Sequence, residues 1–154
     1  MARDREALLG QLMAAAPQLV LDGLGFHSAV AERLGLTLTD LRYLNLIATA
    51  GPLTAGDLAG HSGLSTGAVT RLVDRLIRDG FVRRSHDTQD RRRVIIEAVP
   101  ERMATVGPMY QGMAGAWYEV LDRYDDEQLD TILDLFTRMR EVSRREASRV
   151  RDAS

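Results

Sequence analysis

Cysteine is absent from the 154 residues. That removes disulfides, thiolate zinc sites and thiol redox sensing together. Lysine is absent too: all 20 basic residues are arginine. Genome composition accounts for such a bias on its own. Its physical consequence is that each cation is a planar fork suited to phosphate and base edges. No apolar run is expected to reach the ~18 residues of a membrane-spanning helix. The opening MARDREALLG mixes arginine with acids where a secretory leader would be apolar. A soluble, cytoplasmic chain with no membrane partner is expected. His27, His61 and His86 are scattered and lack metal-ligand spacing. Neither a metal nor a cofactor is expected.

What is present suits one compact domain: 45% hydrophobic and 27% charged residues in a chain of this length. The formal net charge of −2 argues weakly against nucleic acid as a partner. Its distribution argues the other way. Residues 71–93 hold eight arginines against Asp74, Asp79, Asp87 and Asp90, while the remainder carries more acids than arginines. A basic segment on an acidic body is the footprint of a localised anion-binding surface, although a solvated charged face gives the same run.

Hydrophobic periodicity predicts a mainly α chain with one β-hairpin. Leu19, Val20, Phe26, Val30 and Leu34 follow helical spacing up to Gly35, with Pro17 expected to bend or restart that helix. Thr37 opens a second helix, with Asp40 three residues on as in a capping box. Its apolar face is Leu41, Leu44, Ile47 and Ala48, and Gly51-Pro52 ends it. Thr54 and Asp57 repeat the capping pattern for a short third helix, with Leu58 and Ala59 facing inward. A tight turn, Ser62-Gly63-Leu64, leads to a fourth helix from about Thr66 to Asp79, with Ser65 as N-cap and Gly80 as stop. The period then alternates. Phe81 to Ser85 and Arg93 to Val99 read as paired strands around a charged tip, His86 to Arg91. Two long helices follow, Glu101 to about Tyr124 and Asp125 to Arg149. Gly107-Pro108 is expected to kink the first of them or delay its start. Acids early and arginines late in the last helix complement its dipole.

Short helix, turn, longer helix and hairpin form the order of a winged helix-turn-helix, whose second helix enters the major groove. Val69, Leu72, Val73 and Leu76 fall at i, i+3, i+4 and i+7 and must face the core. The opposite face then presents Thr66, Gly67, Thr70, Arg71, Asp74, Arg75 and Arg78. Alone, such a wheel is also that of an ordinary surface helix. The turn, the second capping box and the basic hairpin favour DNA. No Ser-His-Asp constellation, phosphate-cradling glycine loop or metal set is present to support an enzyme.

The segments Asp57-Leu-Ala59, Ser62-Gly-Leu-Ser-Thr-Gly-Ala-Val-Thr-Arg-Leu-Val-Asp-Arg-Leu76, Gly80-Phe-Val-Arg-Arg84 and Asp87-Thr-Gln-Asp-Arg-Arg92 closely resemble the core of MarR-family regulators. The likeness covers about residues 18–150 and is strongest over 37–99. It implies that Ser65, Thr66, Gly67, Thr70 and Arg71 meet the major groove. It further implies that Arg91 or Arg92 enters the neighbouring minor groove, whose negative potential attracts a guanidinium. Asp90 is expected to brace a wing arginine. Arg75, Arg84 and Arg93 are the phosphate-contact candidates, with surface salt bridges as the alternative.

The terminal helices are too apolar on one side for water. Either they pack within the chain or, as the resemblance implies, they interlock with a second copy. Leu19, Leu129, Ile132, Leu133 and Phe136 are the interface candidates. On that view residues 1–36 and 100–154 form the dimerisation region and 37–99 the DNA-binding lobe. A two-fold dimer reads a pseudo-palindrome with half-sites about one helical turn apart. Many relatives also bind small aromatic or anionic molecules. His27, Tyr43, Met109, Met113 and Trp117 are candidates for such a pocket, with ordinary core roles as the alternative. The lack of cysteine departs from the family's peroxide sensors. The functional expectation is a homodimeric repressor released by a small-molecule effector. A dimeric module acting through protein contacts is the alternative.

Overall fold

The computed structural model describes residues 4–61, 65–87, 90 and 92–153. The elements run α1 (Arg5–Leu34), α2 (Leu38–Ala50), α3 (Ala55–Gly60), α4 (Thr66–Arg78), β1 (Val82–His86), β2 (Val94–Ala98), α5 (Pro100–Leu121) and α6 (Asp126–Asp152). The chain divides into a first unit, residues 1–107, and a second, 108–154.

The caps that the sequence advertises are made. Thr37 and Ser65 each accept a hydrogen bond from the backbone N–H three residues on, at 3.1 and 3.3 Å. Thr54 and Asp57 close a full reciprocal box around the start of α3, which a six-residue helix needs because most of its backbone donors are end groups. Asp125 and Gln128 form a second box at α6. Gly35 and Gly80 take φ of +70° and +76°, the left-handed geometry that lets the chain leave α1 and α4 sharply.

Neither internal proline interrupts its helix. α1 neither stops nor restarts at Pro17, and α5 starts before Pro108 and runs on through it. A proline forfeits one backbone donor, and strong helix formers on either side, Ala14 to Ala16 before Pro17, carry the helix past it. α5 begins on Pro100, whose missing N–H is no loss in a first turn. α1 also corrects the view that nothing here could span a membrane. By length and composition it contains an 18-residue stretch apolar enough to do so, none of it buried. Glycine, alanine and glutamine break any strict apolar run, but Asp22 is the sole Asp, Glu or Arg between Glu6 and Glu32.

The core lies in the first unit. Leu41, Tyr43, Leu44 and Ile47 of α2, Leu58 of α3, Val69, Leu72, Val73 and Leu76 of α4, Phe81, Val82, Ile96 and Val106 are all buried. Ala48, expected inward, is exposed, and Tyr43 takes the buried place. The antiparallel hairpin pairs Val82 with Ala98 and His86 with Val94. Each strand starts one residue later than the alternation suggests. Leu53 adds a single bridge to Ile96, exchanging hydrogen bonds of 3.0 and 2.7 Å. It ties the α2–α3 loop to the middle of β2. In the second unit the Trp117 and Phe136 rings pack at 6.4 Å between centroids, joining α5 to α6.

Candidate nucleic-acid interface

α4 presents two opposite faces. Val69, Leu72, Val73 and Leu76 are sealed, with none more than 1% exposed. Ser65, Thr66, Gly67, Thr70 and Arg71 are all exposed. The Thr70 hydroxyl donates to the Thr66 carbonyl at 3.0 Å, so its polar atom is already engaged within the helix. Arg71 has no ion-pair partner among the described residues. Its Nη1 lies 4.0 Å from where a Cβ on Gly67 would stand. The guanidinium therefore reaches back along the first turn, over the position that lacks a side chain. The turn Ser62-Gly63-Leu64 lies outside the described residues.

The arginines expected to hold phosphates are each engaged with a carboxylate. Arg84 Nη2 meets Asp74 Oδ1 at 2.8 Å, tying β1 to α4, with both side chains about half exposed. Arg93 Nη1 stands 3.7 Å from Asp87 Oδ2 across the wing. Neither pair withdraws its arginine from solvent, since Arg84 and Arg93 keep 46% and 54% of their side-chain surface exposed. Arg75 differs. It sends Nη2 to Asp40 Oδ1 at 2.6 Å and Nε to Oδ2 at 3.3 Å.

The hairpin tip is held by its own backbone. Asp87 N–H donates to the Arg93 carbonyl at 3.0 Å, and Arg93 N–H to the Asp90 carbonyl at 2.9 Å. Asp90 Oδ1 accepts from the Arg92 backbone N–H at 3.0 Å. Asp90 thus holds the main chain at Arg92 and leaves that guanidinium outward and exposed. Arg91, the alternative minor-groove arginine, lies outside the described residues. At the hairpin root Arg83 Nε bonds Glu97 Oε1 at 2.9 Å across the strands.

Asp40 is the group the sequence reading missed as part of this site. It is 3% exposed, the one buried charged residue of the described core. Burial opposes its ionisation. The hydrogen bonds from Arg75 and Thr37, with the Arg75 charge, outweigh that and hold the carboxyl below its ordinary 3.8. A depressed folded-state value gives stability that is complete above the ordinary value and fades as pH falls through the lowered one. Asp40→Asn is therefore expected to be less stable than wild type at neutral pH. The gap should shrink below pH 3.8. Urea midpoints across that range check this, and parallel curves would argue against it.

The other candidates are dispersed. Leu19, Leu133 and Phe136 are exposed, while Leu129 and Ile132 are half-buried. Tyr43 is 3% exposed, and its hydroxyl has no hydrogen-bond partner among the described residues. His27 is half-buried in the first unit; Met109, Met113 and Trp117 belong to the second. Among the described residues no three His, Asp or Glu side chains converge on a metal site.

A helix with a bare, arginine-bearing face beside a braced hairpin matches a known family in sequence and in fold. The MarR family model matches residues 36–94. The HTH-type transcriptional regulator YcgE of Bacillus subtilis (strain 168) is 36% identical over 126 residues, 82% of each chain. The HTH-type transcriptional repressor YetL of the same organism is 35% identical over 91 residues, covering 56% of this chain and 54% of YetL. Among solved structures, a MarR family protein from Bacillus stearothermophilus shares the fold with a TM-score of 0.68 at 18% identity, over 91% of this chain and 98% of that one. MarR itself does so at 0.57 and 21% identity, over 87% and 98%. The chain belongs to the MarR family and is a DNA-binding, HTH-type transcriptional regulator rather than an enzyme.

Proposed function

We propose that the chain is a homodimeric repressor that reads a pseudo-palindromic operator and is released by a small aromatic or anionic ligand. The observation that carries the reading is the outward set Ser65, Thr66, Gly67, Thr70 and Arg71 on a helix whose other face is sealed in the core. Small residues lead, so the backbone can approach base edges, and a free guanidinium fork follows. Arg92 or Arg91 enters the adjacent minor groove. Arg84 and Arg93 exchange their carboxylate partners, Asp74 half exposed and Asp87 partly so, for phosphates, a cheap exchange because pairs near the surface are worth little. That YetL is a transcriptional repressor supports repression as the sign.

Dimerisation is supported by α1. Leu8, Leu9, Leu12, Met13, Leu19, Val20, Leu21 and Leu24 are all exposed. At 100° per residue they sweep an arc of roughly 220°, about twice what one packed neighbour covers. Water does not tolerate such a surface on a helix of this length. Residues 1–36 and 100–154 serve as the dimerisation region, with Leu129, Ile132, Leu133 and Phe136 of α6 in its interface, and residues 37–99 as the reading lobe.

The effector reading rests on a cavity of about 350 Å³ between α1 and α2. Leu24, Leu38 and Leu41 supply apolar walls, and His27, Arg42 and Asn45 supply polar contacts. Its volume is at the lower end for small-molecule sites, and its chemistry suits a single-ring acid. Tyr43 is not part of its lining.

Selection from a random duplex pool, with and without a panel of aromatic acids, tests the whole reading. The expected product is an inverted repeat with half-sites about 10 base pairs apart, depleted when the effective acid is present. Sedimentation of the free protein should give twice the chain mass. Recovery of no preferred sequence would overturn it.

A further inference from the structure

Arg75 lies one turn beyond Arg71 on α4, where a phosphate contact would be natural. Its surroundings give it other work. Asp40, on the first turn of α2 and 35 residues away, receives both arms of the guanidinium at 2.6 and 3.3 Å. The Thr37 hydroxyl donates to the same carboxylate at 2.8 Å, and the Asp40 backbone N–H returns a bond to that hydroxyl at 3.1 Å. The acid is thus fixed to the N-terminus of α2 and has three donors. Arg75 keeps 40% of its side-chain surface exposed while Asp40 keeps 4%.

We propose that Arg75 is a positioning residue: its fork on buried Asp40 sets the rotation of α4 about its own axis, and it does not contribute a phosphate contact. The inference rests on the reading that α4 enters the groove. The apolar face of α4 fixes depth, but aliphatic side chains tolerate small rotations, since their attraction is non-directional. A two-armed guanidinium–carboxylate bond does not, because its geometry is planar and paired. A base-reading arginine one turn away needs its helix held within roughly 10–20°. Detaching Arg75 from Asp40 would also strand a buried carboxylate, which makes its transfer to a phosphate unfavourable. That separates it from Arg84 and Arg93, whose partners are more exposed.

Two substitutions give opposite forecasts under the two roles. Arg75→Gln removes the cation; Asp40→Asn leaves it and frees it toward DNA. Operator and random-sequence affinities are measured for the full-length protein across a salt series. For a positioning residue, both variants lose about tenfold or more of the operator-over-random ratio. Both keep the wild-type salt slope. A phosphate contact would instead make Arg75→Gln shallower by about 0.9 per subunit, with Asp40→Asn binding as well as wild type or better; that outcome overturns the proposal. A purely structural bond would lower the melting temperature and leave the ratio unchanged, which also overturns it. If either single variant fails to fold, Asp40→Leu with Arg75→Met replaces the pair with apolar groups of similar size. It is expected to fold and still lose the ratio. Wild-type selectivity in that double variant overturns the proposal. A wild type with no operator preference overturns this and the DNA-binding reading together, whereas the other failures leave that reading standing.

Discussion

Phe81→Ala is expected to cost about 3–5 kcal/mol of folding free energy, the range for deleting a fully buried phenylalanine. Phe81 is 0% exposed and sits where α4 hands over to the hairpin. Its backbone does the joining: its N–H donates to the Leu76 carbonyl at 2.9 Å and its carbonyl accepts from Val99 N–H at 2.9 Å. Its ring supports the start of α5, because the Arg102 guanidinium lies 4.4 Å from the ring centroid. A fully buried side chain therefore sits at the junction of α4, the hairpin and α5. Removing it leaves a void of phenyl size under all three, and most small domains have only 5–15 kcal/mol in total. Urea unfolding should show a much lower midpoint. A loss under 1 kcal/mol would mean that the neighbours collapse into the space and that the ring is not the central support.

Most of this framework was legible in the sequence because its signals are local. Thr37, Thr54 and Ser65 announce helix starts through their own side chains, and the structure has caps at all three. The i, i+3, i+4, i+7 set on α4 predicts its buried face without error. Pro17 does not restart α1 and Pro108 does not delay α5, because a proline removes one backbone donor without ending the helix on its own. The Leu53–Ile96 bridge escaped because one residue carries no periodicity. Its trace in sequence is an isolated apolar residue between Pro52 and the Thr54 cap.

The site was legible as a face but not as a network. The exposed residues of α4 follow from the wheel. The partners of the arginines do not, since Asp74 with Arg84 and Asp40 with Arg75 join different elements. Asp40 did carry a signal. It precedes Leu44 and Ile47 by four and seven residues, so it lies on the apolar stripe of α2, where an unpaired acid could not remain. The wheel thus says that Asp40 needs a cation. Only the packing of α2 on α4 says that the cation is Arg75.

Arg71→Ala is expected to weaken operator binding by about 1–3 kcal/mol per half-site, the worth of one good two-armed base contact. A dimer places Arg71 in both half-sites, and distant contacts add, so the whole operator should lose about 2–6 kcal/mol. The argument for a base rather than a phosphate lies in the helix itself. Arg71 has no carboxylate partner among the described residues, unlike Arg75, Arg84 and Arg93. Its guanidinium reaches back over Gly67, into the turn where Thr66 and Thr70 also emerge. That turn is the end of a recognition helix that comes nearest the groove floor. The Thr70 hydroxyl is already engaged with the Thr66 carbonyl, which leaves Arg71 as the stronger candidate for a two-armed base contact on this turn. Arg71→Lys keeps the charge and loses the fork, so it should recover general affinity but little selectivity. Binding of Arg71→Ala to single-base operator variants decides the matter. The expected result is relaxed preference at one position per half-site with the salt slope almost unchanged. Uniform weakening on every sequence, with the slope lower by about one per half-site, would make Arg71 a phosphate contact and move the base reading elsewhere on α4.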